Sequence, residues 1–195
     1  MIYVNGLYKG YGKEPVLKNI TFHVEKGTIH GLIGRNGSGK TTLIKCLTGI
    51  YRPDRGSIQI CGGDIYDQPR IKEKVGYVAD RNEYFSNYHV DEIIDLYTEL
   101  YPTFQKDDFD DFNEVMGIDK RKFIKQLSKG QKMRLAMILN LSIHPELMIL
   151  DEPTEGLDVI AKRQVMDFII KEVEERNMTV LITSHHLNEL ENFCD

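Results

Sequence analysis

The run Gly34-Arg35-Asn36-Gly37-Ser38-Gly39-Lys40-Thr41-Thr42 carries the first legible chemistry of this chain. It fits G-x-x-x-x-G-K-[ST], and its flanks are those the pattern needs. Upstream, Thr28-Ile29-His30-Gly31-Leu32-Ile33 is short, mostly apolar and bounded by glycines, which reads as a buried strand. Downstream, Leu43, Ile44, Leu47 and Ile50 recur at helical spacing, with Gly49 placed to end the helix. In that order, loop amides and the positive end of a helix dipole converge on phosphate oxygens. Lys40 adds a mobile positive charge near the β and γ groups, and Thr41 offers its hydroxyl to Mg²⁺.

A second pair of groups lies far along the chain. Asp151-Glu152 directly follows Leu147-Met148-Ile149-Leu150, an apolar run that reads as another buried strand. A strand ending there presents both carboxylates at the C-terminal edge of the sheet, beside the phosphate loop if the two strands are neighbours. Asp151 is then expected to hold Mg²⁺, largely through its waters, because Mg²⁺ gives up water reluctantly. Glu152 is expected to polarise the attacking water. The structural alternative is an acidic cap before Pro153.

Holding such groups in place takes a sheet. Ile20, Phe22 and Val24 alternate with Thr21, His23 and Glu25, so the first part of the chain is expected to be antiparallel, turning at Lys26-Gly27. After the turn cluster Arg52-Pro53-Asp54-Arg55-Gly56, strands are expected at Ser57 to Ile60 and Val75 to Val78. From about residue 80 to 130 the pattern is helical. Val90, Ile93, Ile94, Tyr97 and Tyr101 form one stripe, and Phe109, Phe112 and Met116 form another that stops at Gly117. Val165, Phe168, Ile169 and Val173 then mark a helix, and Val180 to Thr183 a further strand. Strands alternating with helices predict a mostly parallel sheet that binds ligands at its strands' C-terminal ends. One domain over 1–195, with the helical segment inserted in it, is the expected organisation.

Composition narrows the function classes. A chain of 195 residues with 41% hydrophobic content can bury one core. A net charge of −5 lacks the basic footprint of a duplex binder, so no nucleic-acid partner is expected. No apolar stretch approaches the roughly 20 residues that span a bilayer, and no secretory pattern opens the chain, so a soluble, cytosolic protein is expected. Cys46, Cys61 and Cys194 lack CxxC or His-paired spacing and read as buried or incidental thiols.

Leu127-Ser128-Lys129-Gly130-Gln131 opens a helix that runs through Met133, Ala136, Met137 and Leu141. This pentapeptide resembles the LSGGQ signature of ATP-binding-cassette (ABC) ATPases, and its place between a helical insertion and the Asp151 strand is also theirs. The resemblance spans nearly the whole chain. It implies an α/β P-loop NTPase fold with a mostly parallel sheet, an N-terminal antiparallel β portion and a helical insertion. Family members continue past Cys194-Asp195, so a chain shortened at its C-terminus is expected. The implied cofactors are ATP, in the loop from Gly34 to Thr42, and Mg²⁺.

The resemblance also distributes roles. It implies that Ser128, Gly130 and Gln131, at a helix N-terminus, contact the γ-phosphate of ATP held by an opposite subunit, so that the site is split across a dimer. Tyr11 matches the aromatic that stacks on adenine. Glu155-Gly156-Leu157-Asp158 resembles the D-loop, which contacts the partner subunit. Ser184-His185 resembles the switch histidine, which contacts the γ-phosphate and positions water and Glu152; His186 is adjacent, and the pattern favours His185.

Two residues depart from the family pattern. After Gly76-Tyr77-Val78-Ala79 the family has a glutamine where this chain has Asp80, which gives Mg²⁺ a charged oxygen and no donor. Asp80 is read as a Mg²⁺ ligand beside Thr41 and Asp151, with a structural role as the alternative. Lys129 replaces the first signature glycine, adding positive charge near the phosphate an opposite subunit presents. It also joins Lys120, Arg121, Lys122 and Lys125 in a basic cluster that otherwise reads as a solvated face.

The resemblance thus implies an ATP-hydrolysing subunit that pairs with a second, identical or different, nucleotide-binding subunit. It would drive a separately encoded transmembrane subunit of a bacterial transporter, from the cytoplasmic face of the membrane. Tyr84, Phe85 and Tyr88 either line a groove for that membrane subunit or belong to the core. A soluble ABC protein of DNA repair or translation, and a nucleotide-gated module with little turnover, are the alternatives.

Overall fold

The computed structural model describes residues 1–12, 14–80, 85–186, 190, 193 and 194. In chain order the strands are β1 (Ile2–Tyr11), β2 (Glu14–Val24), β3 (Ile29–Ile33), β4 (Arg55–Ile60), β5 (Val75–Val78), β6 (Leu147–Asp151) and β7 (Thr179–Ser184). The helices are α1 (Lys40–Leu47), α2 (Pro69–Lys72), α3 (Val90–Leu100), α4 (Lys106–Met116), α5 (Lys129–Leu141) and α6 (Val159–Arg176). An antiparallel sheet takes the order β2-β1-β4, and a parallel sheet the order β3-β7-β6-β5.

The unbroken apolar runs of β6 and β7 follow from a sheet covered on both faces. Successive side chains serve different cores. Leu147, Ile149 and Leu181 pack with α1 and the inner face of the antiparallel sheet, where Ile2, Val4, Leu7, Leu17 and Ile60 are buried. Met148, Leu150, Val180 and Ile182 turn the other way, to α5, α6 and the stripes of α3 and α4. The helix α5 is apolar on most sides because it lies inside this second core. Its Asn140 is buried but bonded, accepting from the Tyr77 amide (3.1 Å) and donating to the Ala136 carbonyl (2.8 Å), which pins α5 to β5.

Three features differ from what the sequence suggests or leaves unsaid. Ile50 does not extend the apolar stripe of α1, because that helix ends at Leu47 and Gly49 adopts a φ of 73°, leaving Ile50 exposed. The strand β1 had no expectation at all, although it is the centre of its sheet. The strands carrying the phosphate loop and Asp151 are not neighbours either, since β7 runs between them. Tyr84 lies outside the described residues.

Candidate active site

The phosphate loop leaves the end of β3 and enters α1, with Gly39 as the helix N-cap. Gly39 sits at a φ of 96°, a conformation side chains resist, so the sharp entry into the helix needs glycine. At Gly34 the demand is space, because a Cβ there would meet Ser38 Oγ at 2.6 Å. Arg35, Asn36, Gly37 and Ser38 stand exposed at the loop's crest, braced by the Ser38 amide on the Arg35 carbonyl at 3.0 Å. Thr41 is exposed at the helix start and Thr42 is buried behind it.

Lys40 is folded inward. Its ammonium donates to the Gly34 carbonyl (2.6 Å) and the Arg35 carbonyl (3.4 Å) and lies 3.3 Å from Glu152 Oε1. The same carboxylate takes His185 on its other oxygen, with Nδ1 to Oε2 at 2.9 Å and the His185 amide at 3.3 Å. The start of α1 and the end of β7 therefore meet at Glu152, just past the end of β6. Glu152 itself adopts a φ of 51°, a strained value for a side chain of its size, of the kind that clusters at functional sites. His186 turns elsewhere, its amide donating to Ser184 Oγ at 2.9 Å, while its ring lies 3.9 Å from that of His185.

The intervening strand supplies a residue that sequence reading missed. Thr183 on β7 is fully buried; its hydroxyl donates to Asp151 Oδ1 (2.7 Å) and accepts from the Glu152 amide (3.0 Å). It thus locks both carboxylate residues to the strand between them and the phosphate loop. The available signal was a polar residue inside the apolar run Val180-Leu181-Ile182-Thr183.

Asp151 is only 3% exposed. Burial pushes its carboxyl above the ordinary value, and the charges of Glu152 and Asp80 push the same way, while hydrogen bonds from Thr183 and Thr41 pull it down. A buried carboxylate crowded by other carboxylates, with a hydroxyl at hand, is a donor set for a hard divalent cation.

Tyr11 closes β1 half-exposed, with its ring edge-on to Tyr51 (6.1 Å between centroids) and its hydroxyl 3.3 Å from Thr42 Oγ1. It therefore stands beside the start of α1. Ser128 caps α5 in a reciprocal box: its hydroxyl accepts from the Gln131 amide (3.2 Å), and Gln131 Oε1 accepts from the Ser128 amide (3.0 Å). The Gln131 side chain is thus engaged in its own helix cap. Lys129 reaches back into its own chain, 3.5 Å from Asp80 Oδ1 and 3.7 Å from Glu155 Oε2. The basic cluster expected around it disperses onto local partners: Lys120 onto Asp110, Arg121 toward Asp119, and Lys125 over the Phe123 ring. Phe85 and Tyr88 are exposed and pack edge-to-face (5.7 Å between centroids).

Residues 17–155 match the family model described as ABC transporter. The chain is 36% identical to the ABC transporter ATP-binding protein YtrB of Bacillus subtilis, over all of this chain and 67% of that protein. It is 33% identical to the bacitracin transport ATP-binding protein BcrA of Bacillus licheniformis, over all of this chain and 65% of that one. It is also 35% identical to the lantibiotic transport ATP-binding protein SrtF of Streptococcus pyogenes, over all of this chain and 84% of that one. The chain spans about two thirds of the length of the first two of these relatives. A solved structure described as the ATP binding subunit of an ABC transporter superposes with a TM-score of 0.90 at 27% identity, over all of this chain and 83% of that one. The chain therefore belongs to the ABC transporter family, among its ATP-binding ATPase chains.

Proposed function

We propose that this chain binds and hydrolyses ATP as one of two paired nucleotide-binding subunits and so drives a separately encoded transmembrane transporter subunit. The observation that carries the reading is the grip of Lys40 and His185 on opposite oxygens of Glu152 at the mouth of the phosphate loop. On this reading Glu152 is the base, His185 its positioning group and Lys40 the phosphate-binding cation.

The residues fit ATP. The loop amides from Gly34 to Gly39 and the start of α1 receive the phosphates, and Tyr11 receives the base on its exposed face. Thr41, Asp151 and Asp80 would hold Mg²⁺, which when bound supplies charge neutralisation on the phosphate oxygens. Lys40 turns from the Gly34 carbonyl and Glu152 to the phosphates, which leaves Glu152 free to act as base. Water then attacks the γ-phosphorus, the bond to the β-γ bridging oxygen breaks, and the water's proton passes to Glu152. His185 keeps that carboxylate aimed. The capped start of α5, with Ser128, Gly130 and Gln131, closes on the γ-phosphate of the opposite subunit, which makes turnover depend on pairing.

Docking of the membrane subunit is assigned to the exposed Phe85 and Tyr88. A cavity of about 110 Å³ beside them is lined by Tyr77, Phe85, Ile93, Tyr97 and Leu135. No helix among the described residues is long and apolar enough to cross a membrane, and attachment to the inner face of the cell membrane runs through that partner. The relatives in bacitracin and lantibiotic transport support a bacterial transport setting. The test is ATP turnover of the purified protein, alone and with its membrane subunit in vesicles. The reading expects modest turnover alone and a strong rise with the partner, and turnover indifferent to the partner overturns it.

A further inference from the structure

A lysine at the first position of a helix is on the wrong end of the dipole, where a cation is disfavoured. Lys129 occupies that position in α5, and its ammonium is turned to two carboxylates, Asp80 at 3.5 Å and Glu155 at 3.7 Å. Its stem lies along the turn that follows Glu155, where a Cβ on Gly156 would sit 3.5 Å from Lys129 Cδ. The next residue is closer still to that turn, since a Cβ on Gly130 would come 2.9 Å from Leu157 Cδ2. The start of α5 is therefore packed against the segment leaving β6. On the other side, the Asn140 side chain fixes α5 to the Tyr77 amide of β5, the strand that delivers Asp80. Both ends of the Asp80 and Lys129 contact are thus held by the core.

Asp80 follows β5, which pairs with β6 so that Val78 lies opposite Leu150, and so emerges beside Asp151. With Asp151, Glu152 and Glu155 it completes a concentration of negative charge at one sheet edge, and Lys129 is the cation that reaches Asp80 from α5. On the reading that this site takes Mg²⁺ and ATP, we infer that Lys129 is a positioning residue that pairs with Asp80. The pair presents a charge-neutral unit to the metal and phosphates where Asp80 alone would present an anion. The two departures from the signature and glutamine-loop patterns are then one device, in which each residue offsets the other.

The experiment titrates free Mg²⁺ against the purified chain with a fluorescent ATP analogue, reading the Mg²⁺ midpoint for nucleotide binding. Lys129→Ala leaves Asp80 unneutralised and lowers the midpoint. Asp80→Asn removes an anion from the site while Lys129 keeps only Glu155, and raises it. Each shift is roughly three- to tenfold, the size expected of one unit charge acting on a divalent ion about 6–13 Å away through a water-like medium. Lys129→Arg stays within about twofold of wild type, and adding Lys129→Ala to Asp80→Asn lowers the midpoint again from the Asp80→Asn value. Lys125→Ala, whose ammonium lies over the Phe123 ring, leaves the midpoint within about twofold. Single variants that shift the midpoint in the same direction, or not at all, overturn the inference, as does a Lys125→Ala shift equal to that of Lys129→Ala. A wild-type chain that binds no nucleotide overturns the ATP reading itself and the inference with it, a failure distinct from normal binding with unmoved midpoints.

Discussion

Replacing Asp151 by Asn is expected to stabilise the nucleotide-free protein while abolishing its response to Mg²⁺. Asp151 is 3% exposed and accepts hydrogen bonds from Thr183, at 2.7 Å on Oδ1, and from Thr41, which an asparagine oxygen can also accept. What changes is the charge. Because burial lifts the folded-state carboxyl above the ordinary aspartate value of 3.8, ionisation is harder in the folded chain than in the unfolded one. The destabilisation is therefore absent below about pH 3.8 and complete once pH exceeds the raised value. Removing such a functional-site carboxylate is worth about 0.5–2 kcal/mol, and at this chain length 1 kcal/mol moves the melting temperature by about 2–4 °C. Differential scanning fluorimetry of Asp151→Asn near neutral pH should show Tm raised by about 1–8 °C, with the gain shrinking as pH falls toward about 3.8. Adding Mg²⁺ and ATP should then raise the Tm of wild type more than that of the variant. A lower Tm at neutral pH, or a gain that does not change with pH, would refute the claim that Asp151 is a buried carboxylate awaiting a cation.

Other perturbations test other parts of the molecule. Arg176→Ala removes the partner of the buried Glu172 carboxylate, 3.0 Å away, and should cost about 2–4 kcal/mol in urea denaturation, part of which Glu172→Gln in the same background restores. Ser128→Ala breaks the capping box of α5 and should cost about 1 kcal/mol in the same assay. Phe85→Ser combined with Tyr88→Ser alters two exposed rings, so stability should hold within about 0.5 kcal/mol while stimulation of ATP turnover by the membrane subunit is lost.

Local chemistry was the legible part of this chain. The phosphate loop, its lysine and the carboxylates after an apolar strand are contiguous patterns whose flanks state their own geometry, and β3, β5, β6 and β7 followed from short apolar runs. β1 was hidden because register shifts between Val4 and Leu7, Leu7 and Lys9, and Lys9 and Gly10 break the alternation that would mark a strand. The order of the parallel strands was equally hidden. With β7 between β3 and β6, Asp151 and Glu152 are tied to the intervening strand by Thr183, a residue with no motif of its own. The exposure of Phe85 and Tyr88 and the pairing of Lys129 with Asp80 are tertiary facts, the latter joining positions 49 residues apart.

The central claim is that a single chain holds half of an ATP-hydrolysing site that fires only when two copies, or this chain and a similar partner, close on the nucleotide. Glu152→Gln tests it most directly, because the amide keeps the side chain's shape but cannot take the water's proton. Size-exclusion chromatography of this variant with ATP and Mg²⁺ should show a stable dimer that ADP does not support, with hydrolysis slowed by about 100-fold or more. A variant that stays monomeric in saturating ATP, or one that hydrolyses ATP at the wild-type rate, would contradict the account.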